Sequence, residues 1–447
     1  MRTHRRTQRR PRTPYAYQVP AIEYACGTNT PALFMEMRLG KSFVCIEWLK
    51  HHRPRRALIV CPLSVVRTWQ REFAAAGLRA WSLHGTPAMV DAALDNPSGP
   101  SVFIANYDTL RHRSRIRNEP WDAVALDESP AIKNPQAKRT KIIHANLRSA
   151  PLRCLMTGMP NPNGLEDYVE QLRWLCGGDW MGAKSWWDWR GRFMRPAGPY
   201  DFAPKKGTIE KVDQWLRTNA FTLTRQQAGV GPGKVREIRY VTMPPELRTA
   251  YRSAMDDWIT GDEETKWAPV LHVWVRRLCG GSIPDYTSPH KVNELRTLLG
   301  GELAGQPTVV WCAFRAEMDI IVDALIGDGF AVAQINGDHG VGEREQIRTA
   351  FMDGELDHVV CQMDCARYGL NLSRADAAIN FSRSMNPESN WQSEDRIVHV
   401  EKSCDVLIVD IVTDDTIEED IRDTLFERRA DARSFMSRLR TRIARRL

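Results

Sequence analysis

The sequence lacks the features that mark several large protein classes. None of its ten cysteines forms a Cys-x-x-Cys pair, so neither a zinc ribbon nor a thioredoxin-type redox pair is encoded. Cys361 and Cys365 are spaced Cys-x-x-x-Cys, with no matching His or Cys pair elsewhere. Most of the other cysteines fall inside apolar runs. They read as reduced, core-packed thiols, and a cytoplasmic location is expected. No apolar run reaches the roughly 20 residues that a membrane-spanning helix needs. Residues 1–13 have almost no apolar side chains and carry Arg2, Arg5, Arg6, Arg9, Arg10 and Arg12. That composition predicts a disordered basic arm. No apolar stretch follows to complete a secretory signal, while an Arg-rich targeting peptide stays open.

What the chain does contain is enough apolar material for large cores. It has 447 residues, 43% of them hydrophobic, and a net charge of +7. This length suggests two or three domains. Short apolar runs alternate with helical patterns in both halves. The first half offers 57–61, 102–105, 123–126 and 152–156; the second offers 308–313, 331–335, 358–362, 377–381 and 406–412. Such alternation predicts an α/β fold with parallel sheets flanked by helices.

Two short motifs carry chemistry. Leu39-Gly40-Lys41-Ser42 can wrap phosphates: Gly40 lets the backbone approach without a Cβ, Lys41 supplies charge, and Ser42 offers a hydroxyl to Mg²⁺. The run 43–49 reads as the helix whose N-terminus favours phosphate. A Gly usually stands five residues before the second Gly of such a loop, and Met35 stands there instead. Alone, the tripeptide also fits a Gly turn capped by Ser. The second motif is Leu126-Asp127-Glu128-Ser129, at the end of the apolar run 121–126. Open α/β sheets place ligands at the carboxyl ends of their strands. Asp127 could hold Mg²⁺ through water, and Glu128 could take the proton of an attacking water. A solvated acidic pair is the alternative.

The order of further motifs resembles helicase superfamily 2, in its SWI2/SNF2 branch of double-stranded-DNA translocases, from about Tyr15 to about Ile421. Tyr15-Ala16-Tyr17-Gln18 is similar to the Q motif, in which Gln18 would read adenine. Glu36-Met37-Arg38-Leu39-Gly40-Lys41-Ser42 resembles DEMGLGKT, with Arg38 where the family has Gly. The stretch Leu58 to Trp69, with Pro62 and Ser64, resembles motif Ia; Asn106-Tyr107 lies in a motif Ib-like segment. Asp127-Glu128-Ser129-Pro130-Ala131-Ile132-Lys133-Asn134 resembles DEAHxIKN, with Ser-Pro replacing Ala-His. Met156-Thr157-Gly158-Met159-Pro160 resembles LTGTP, which couples hydrolysis to DNA contact. In the second half, 289–295 resembles the helix opening the second motor domain, and Val309 to Phe314 resembles motif IV. Gly369-Leu370-Asn371-Leu372 resembles motif V, Met385-Asn386-Pro387 with Gln392 to Arg396 resembles motif VI, and 415–419 matches the closing DTIEE.

The resemblance implies two RecA-like lobes, lobe 1 over 14–170 and lobe 2 over 289–425, with ATP and Mg²⁺ held between them. It implies Lys41, Asp127, Glu128 and Arg396 as catalytic residues and Ser42 and Asp127 as metal ligands. Tyr15, Gln18, Arg38, Leu39, Gly40, Lys41, Ser42, Gly369, Asn371, Gln392 and Arg396 would line the nucleotide. Pro62, Ser64, Asn106, Tyr107, Thr157, Gly158, Phe314 and Asn386 would face DNA. Motif VI ordinarily carries a second Arg where this chain has His399, and motif V reads Ala366-Arg367-Tyr368-Gly369 in place of AGGxG. A cross-domain Arg is worth orders of magnitude in phosphoryl transfer. Slow or partner-dependent hydrolysis is thus one reading, with Arg367 or His399 as stand-ins for the missing cation.

Region 171–288 fits neither lobe by motif. It holds Trp174, Trp180, Trp186, Trp187, Trp189, Trp215, Trp258, Trp267 and Trp274, and is expected to be a mostly helical insertion. Such a cluster is more often an insertion's own core than a base-stacking platform. Gly229 to Gly233 reads as a crossing or turn, and 271–279 as a helix packing back on the motor. Residues 426–447 form a basic tail with Phe435, Leu439, Ile443 and Leu447 at every fourth position, an expected amphipathic helix. Arg111, Arg113, Arg115 and Arg117 mark a basic loop before Asp127. No zinc-finger-like base reader is present, and no fused nuclease or chromatin-reading module is seen. The expectation is a stand-alone bacterial or phage-type motor bound to duplex DNA mainly without sequence preference. A strand-separating helicase and a weakly hydrolysing, nucleotide-gated DNA-binding module are the alternatives.

Overall fold

The computed structural model describes residues 13–95, 99, 101–197, 202–260, 268–283, 286–368, 370–399, 402 and 404–426. The basic arm, apart from Arg12's neighbour Thr13, lies outside the described residues. So do Gly369, Trp267 and the tail beyond Phe426, as do the side chains of Trp258 and Arg367. The chain divides into two compact units, Met1–Val230 and Gly231–Leu447. The boundary falls inside the Gly229–Gly233 turn expected from the sequence.

The first unit is built on a seven-stranded sheet. Its strands are β1 (Ala32–Met35), β2 (Arg56–Cys61), β3 (Ala80–Ser82), β4 (Ser101–Asn106), β5 (Ala123–Asp127) and β6 (Leu152–Thr157). Met194–Pro196 (β7) and Phe202–Pro204 (β8) form a separate antiparallel hairpin, and β9 (Phe221–Leu223) returns to the sheet. The order is β3-β4-β2-β5-β6-β1-β9, and every pairing is parallel. Central strands buried on both faces need unbroken apolar runs, and Leu58-Ile59-Val60 and Ala123-Val124-Ala125-Leu126 supply them. The helix Lys41–His52 packs Val44, Cys45, Trp48 and Leu49 into the same core.

The second unit carries a six-stranded parallel sheet. Its strands are β10 (Lys234–Val241), β13 (Thr308–Cys312), β14 (Val332–Ile335), β15 (His358–Gln362), β16 (Ala377–Asn380) and β17 (Val406–Thr413), in the order β10-β17-β16-β13-β15-β14. Between β10 and β13 lies a short hairpin of β11 (Ser282–Ile283) and β12 (Tyr286–Thr287). The helix Ala268–Cys279 sets Val275, Leu278 and Cys279 against Ile417, Ile421 and Leu425 of the helix Ile417–Phe426.

Region 171–288 is not one body standing apart from the lobes. It gives the edge strand β9 to the first sheet and the edge strand β10 to the second. The helix Asp167–Leu175, which the expected boundary at 170 would cut, is buried in the first unit. The Trp-rich part is largely a core of its own. Trp180 stacks on Trp189 at 5.5 Å, with Trp215 edge-on at 5.8 Å. Trp174, Trp180 and Trp189 are buried, whereas Trp187 is 57% exposed.

Candidate active site

The loop Glu36–Gly40 joins β1 to the helix Lys41–His52 at the carboxyl edge of the first sheet. Two of its residues turn left-handed: Arg38 at φ 68° and Gly40 at φ 80°. Gly40 meets this requirement without a Cβ. Arg38 holds the same kind of backbone with a full side chain, at a position where the motif otherwise has Gly. A methyl built on Gly40 would overlap the side-chain amide nitrogen of Gln18.

Gln18 is 1% exposed and is held at both ends. Its Nε2 donates to the Leu39 carbonyl at 3.0 Å, and its Oε1 accepts from the Tyr15 N–H at 3.1 Å. The Q-motif glutamine therefore clasps the phosphate loop to the N-terminal turn. Tyr15 is exposed and stacks on Tyr17 at 5.5 Å. Lys41 Nζ donates to the carbonyls of Met35 (2.9 Å) and Glu36 (3.2 Å), so its ammonium folds back over the loop that precedes it.

Asp127 ends β5, and Glu128 follows in a left-handed conformation at φ 53°. Three bonds fix Asp127. Its Oδ2 accepts from the Trp69 indole at 2.8 Å, its Oδ1 from the Glu128 N–H at 3.1 Å, and its carbonyl from the Tyr107 hydroxyl at 2.8 Å. Burial, helped by the neighbouring Glu128 charge, pushes the Asp127 carboxyl up to about 6, against the opposing pull of the Trp69 bond and the Lys41 charge. Glu128 Oε2 accepts from the Thr157 hydroxyl at 3.1 Å. Thr157 closes β6, which lies between β5 and β1 in the sheet, so it stands on the strand joining the acidic pair to the phosphate loop. Gly158 then approaches that loop: a Cβ there would sit 3.2 Å from the Met37 nitrogen.

A second tier of residues braces these groups. Ser129, where the family motif has Ala, donates to Gln171 Oε1 at 2.6 Å, and Gln171 Nε2 donates to the carbonyls of Pro160 and Asp167, both at 2.6 Å. The loop after β5 and the loop after β6 are thus tied to one buried amide. Glu36 accepts from the Arg225 N–H at 2.9 Å and donates its own N–H to Leu223, which ties the phosphate loop to β9. None of Trp69, Gln171 and Arg225 was picked out as a site residue from the sequence. Each is brought in by a strand pairing or a turn that a linear motif does not show.

Several expected contact residues are placed differently from a surface role. Tyr107 is buried with its hydroxyl on Asp127, and Asn106 Oδ1 accepts from the Thr109 N–H at 2.6 Å. Thr157 is fully buried against Glu128. Pro62 and Ser64 sit on the turn after β2. Of the basic loop, Arg115 is ion-paired with Asp91 and Asp95, and Arg113 donates to the Gly85 carbonyl.

In the second unit, Phe314 and Asn386 line one cleft of about 530 Å³ at the carboxyl ends of β13 and β16, together with Arg276, Asp364 and Ser384. Asn386 caps the helix Pro387–Asp395 by accepting from the Glu388 N–H at 3.0 Å. That helix carries Gln392, whose Nε2 donates to Glu388 at 3.0 Å. Arg396 follows it, with its N–H on Ser393 and its carbonyl accepting from Leu372, one residue beyond Asn371. Glu394 is buried among Lys234, Arg236 and Arg383, and burial's upward push on its carboxyl is outweighed by these cations, so it sits well below the usual range. Lys234 also holds Asp395 at 2.8 Å. The residues just before Arg396 are therefore pinned to β10.

Comparison with known proteins agrees in detail. Residues 22–272 match the model of the SNF2-related domain, and residues 290–401 match that of the helicase conserved C-terminal domain. A probable chromatin-remodeling complex ATPase chain of Oryza sativa subsp. japonica is 22% identical over 88% of this chain and 38% of its own length. ISWI chromatin-remodeling complex ATPase ISW2 of Saccharomyces cerevisiae is 23% identical over 91% of this chain and 39% of its own. This chain thus spans well under half the length of these relatives. Among solved structures, the SWI2/SNF2 ATPase core of Sulfolobus solfataricus in complex with dsDNA is 19% identical, covering 94% of this chain and 92% of that one, with a TM-score of 0.46.

Proposed function

Since this chain belongs to the SNF2-related domain family and is an ATP-hydrolysing enzyme, we propose that it is a motor on double-stranded DNA, with hydrolysis stimulated by the duplex and driving translocation or remodelling. The observation that carries the chemical half of this reading is the sequence of strand ends β1, β6 and β5. They set Lys41, Thr157 and the Asp127–Glu128 pair along one edge of one sheet.

The donor set fits a magnesium nucleotide. Ser42 offers a neutral hydroxyl, and Asp127 a carboxylate whose raised proton affinity marks an uncompensated buried charge. Mg²⁺ held by Ser42 and Asp127 would neutralise phosphate charge when bound. The chain's own residues do the rest. The left-handed Gly40 opens the loop to phosphate oxygens. Lys41 exchanges its two carbonyl partners for phosphate, an exchange of neutral acceptors for charged ones. Glu128 takes the proton of the attacking water, and the Thr157 hydroxyl fixes which way its carboxylate faces. We assign Arg396 the role of the cation that stabilises charge on the transferring phosphate.

Duplex DNA as the track rests on family membership and on the positive net charge. Its phosphates would supply affinity without sequence preference. A cytoplasmic setting suits ten free thiols. The test is ATP-dependent displacement of a triplex-forming oligonucleotide from a duplex, run beside a fluorescent strand-separation assay. A translocase strips the third strand and leaves the duplex paired. An enzyme that separates the duplex is a helicase, and one that does neither while hydrolysing ATP is not a motor.

A further inference from the structure

Arg276 is a cation that the hydrolysis site does not use and the fold does not neutralise. It sits one turn from the end of the helix Ala268–Cys279 and is 9% exposed. Its NH2 donates to the Arg383 carbonyl at 2.6 Å, and its guanidinium lies over the Phe314 ring at 4.8 Å. These partners fix its position and leave its charge in place. Among the described residues no carboxylate lies within 4 Å of it, since neither an ion pair nor a bond to Asp or Glu is formed. The acidic groups nearby are otherwise engaged. Glu418 gives both oxygens to Lys291, at 2.8 and 2.9 Å. Asp410 is held by Arg383 at 2.7 Å and by Asn380 at 2.8 Å. Glu317 accepts from Ser382 and from the Phe314 N–H. A buried, unpaired guanidinium is costly, and such groups persist where they meet a charged ligand.

Arg276 also lines the cleft of about 530 Å³ that Phe314 and Asn386 share. Next to it begins the helix Pro387–Asp395, a nine-residue helix whose positive end favours an anion. One group opposes: Asp364 lines the same cleft, with its Oδ1 accepting from the Ser389 hydroxyl at 2.7 Å. A bound anion must therefore sit on the Arg276 and Asn386 side.

We propose that Arg276 and the cleft before Asn386 form a receptor for one backbone phosphate of the DNA, held by a residue outside the recognisable motifs. This rests on the reading of the protein as a DNA-dependent enzyme. Phe314 orients the guanidinium by stacking, the Arg383 carbonyl takes one of its donors, and the remaining donors face the phosphate. The contact reads no base, so it contributes affinity and salt dependence without sequence preference.

The test measures binding of a fluorescein-labelled mixed-sequence duplex across a salt series, for the full chain and for Arg276→Gln. Loss of one phosphate contact weakens binding about tenfold and reduces the slope of log K against log salt by about 0.9. Arg276→Lys keeps the wild-type slope. An unchanged slope in a folded Arg276→Gln protein overturns the proposal. Hydrogen exchange on the unaltered protein decides the matter if the Gln variant does not fold: DNA should slow exchange in the loops 313–314 and 384–386, and equal exchange with and without DNA overturns it. A wild-type protein that binds no duplex would sink the motor reading as well, whereas tight binding with an indifferent Arg276 sinks only this inference.

Discussion

Gly40→Ala is the sharpest test of how the phosphate loop is held. The substitution adds one carbon and meets two obstacles. The backbone at φ 80° must accept a side chain, which costs roughly 1–2 kcal/mol for an L-residue. The new methyl also lands on the Gln18 amide. That amide is pinned between the Leu39 carbonyl and the Tyr15 N–H, so yielding breaks at least one buried hydrogen bond, at about 1–3 kcal/mol. Together the penalty is about 2–4 kcal/mol, after some relaxation. If the loop bears it by opening, nucleotide affinity falls roughly 30- to 700-fold. Isothermal titration with a non-hydrolysable ATP analogue measures this, and a thermal melt finds any share borne by the whole unit. Gln18→Ala separates the two causes. On its own it weakens the loop by removing the clasp. Combined with Gly40→Ala it removes the clash, so the double variant should lose less than the sum of the single losses. Strict additivity, or an unaffected Gly40→Ala protein, would refute the reasoning.

Other outcomes follow from the same geometry. Glu128→Gln should retain nucleotide binding while turnover falls at least about a hundredfold, seen as phosphate release against analogue affinity; comparable losses in both would show that Glu128 is not the base. Thr157→Val should lower kcat roughly ten- to hundredfold with little change in KM, because it frees the Glu128 carboxylate to turn. Asp127 has a folded-state proton affinity raised to about 6 above an ordinary value of 3.8. The sign is the reverse of a salt-bridged carboxylate: its contribution to stability is fully present in acid and is lost as pH rises through about 6. In metal-free buffer Asp127→Asn should therefore melt above the unaltered protein at pH 8, by on the order of 2 kcal/mol. The gap should shrink as pH falls through 6, and a gap independent of pH would contradict it. Ser129→Ala, which restores the family's residue, leaves Gln171 Oε1 without its donor and should cost about 1–2 kcal/mol of stability in a denaturant melt.

Most of the fold was legible because parallel strands buried on both faces write themselves as apolar runs. The runs at 57–61, 123–126 and 358–362 are strands with nearly those limits. β10 was not legible: Lys234-Val235-Arg236-Glu237-Ile238-Arg239 alternates charge with apolar residues, as an edge strand with Val235 and Tyr240 exposed would. β3 and β9 are three residues each, too short for any period to register. In the site, the motif residues Lys41, Asp127 and Glu128 were found by spacing, since a loop followed by a helix fixes their neighbours. Trp69, Gln171 and Arg276 were not, because each reaches its partner across sheet order or helix packing. The buried placement of Tyr107 likewise depends on β4 lying next but one to β5, a fact of topology.

The central claim is that this chain turns over ATP through Lys41 and Glu128 under the control of duplex DNA. Steady-state phosphate release at saturating ATP, measured side by side without nucleic acid, with single strands, with duplex and with RNA, tests it most directly. A several-fold rise with duplex alone, abolished in Lys41→Ala and Glu128→Gln, is the predicted result; a rate indifferent to every nucleic acid would contradict it.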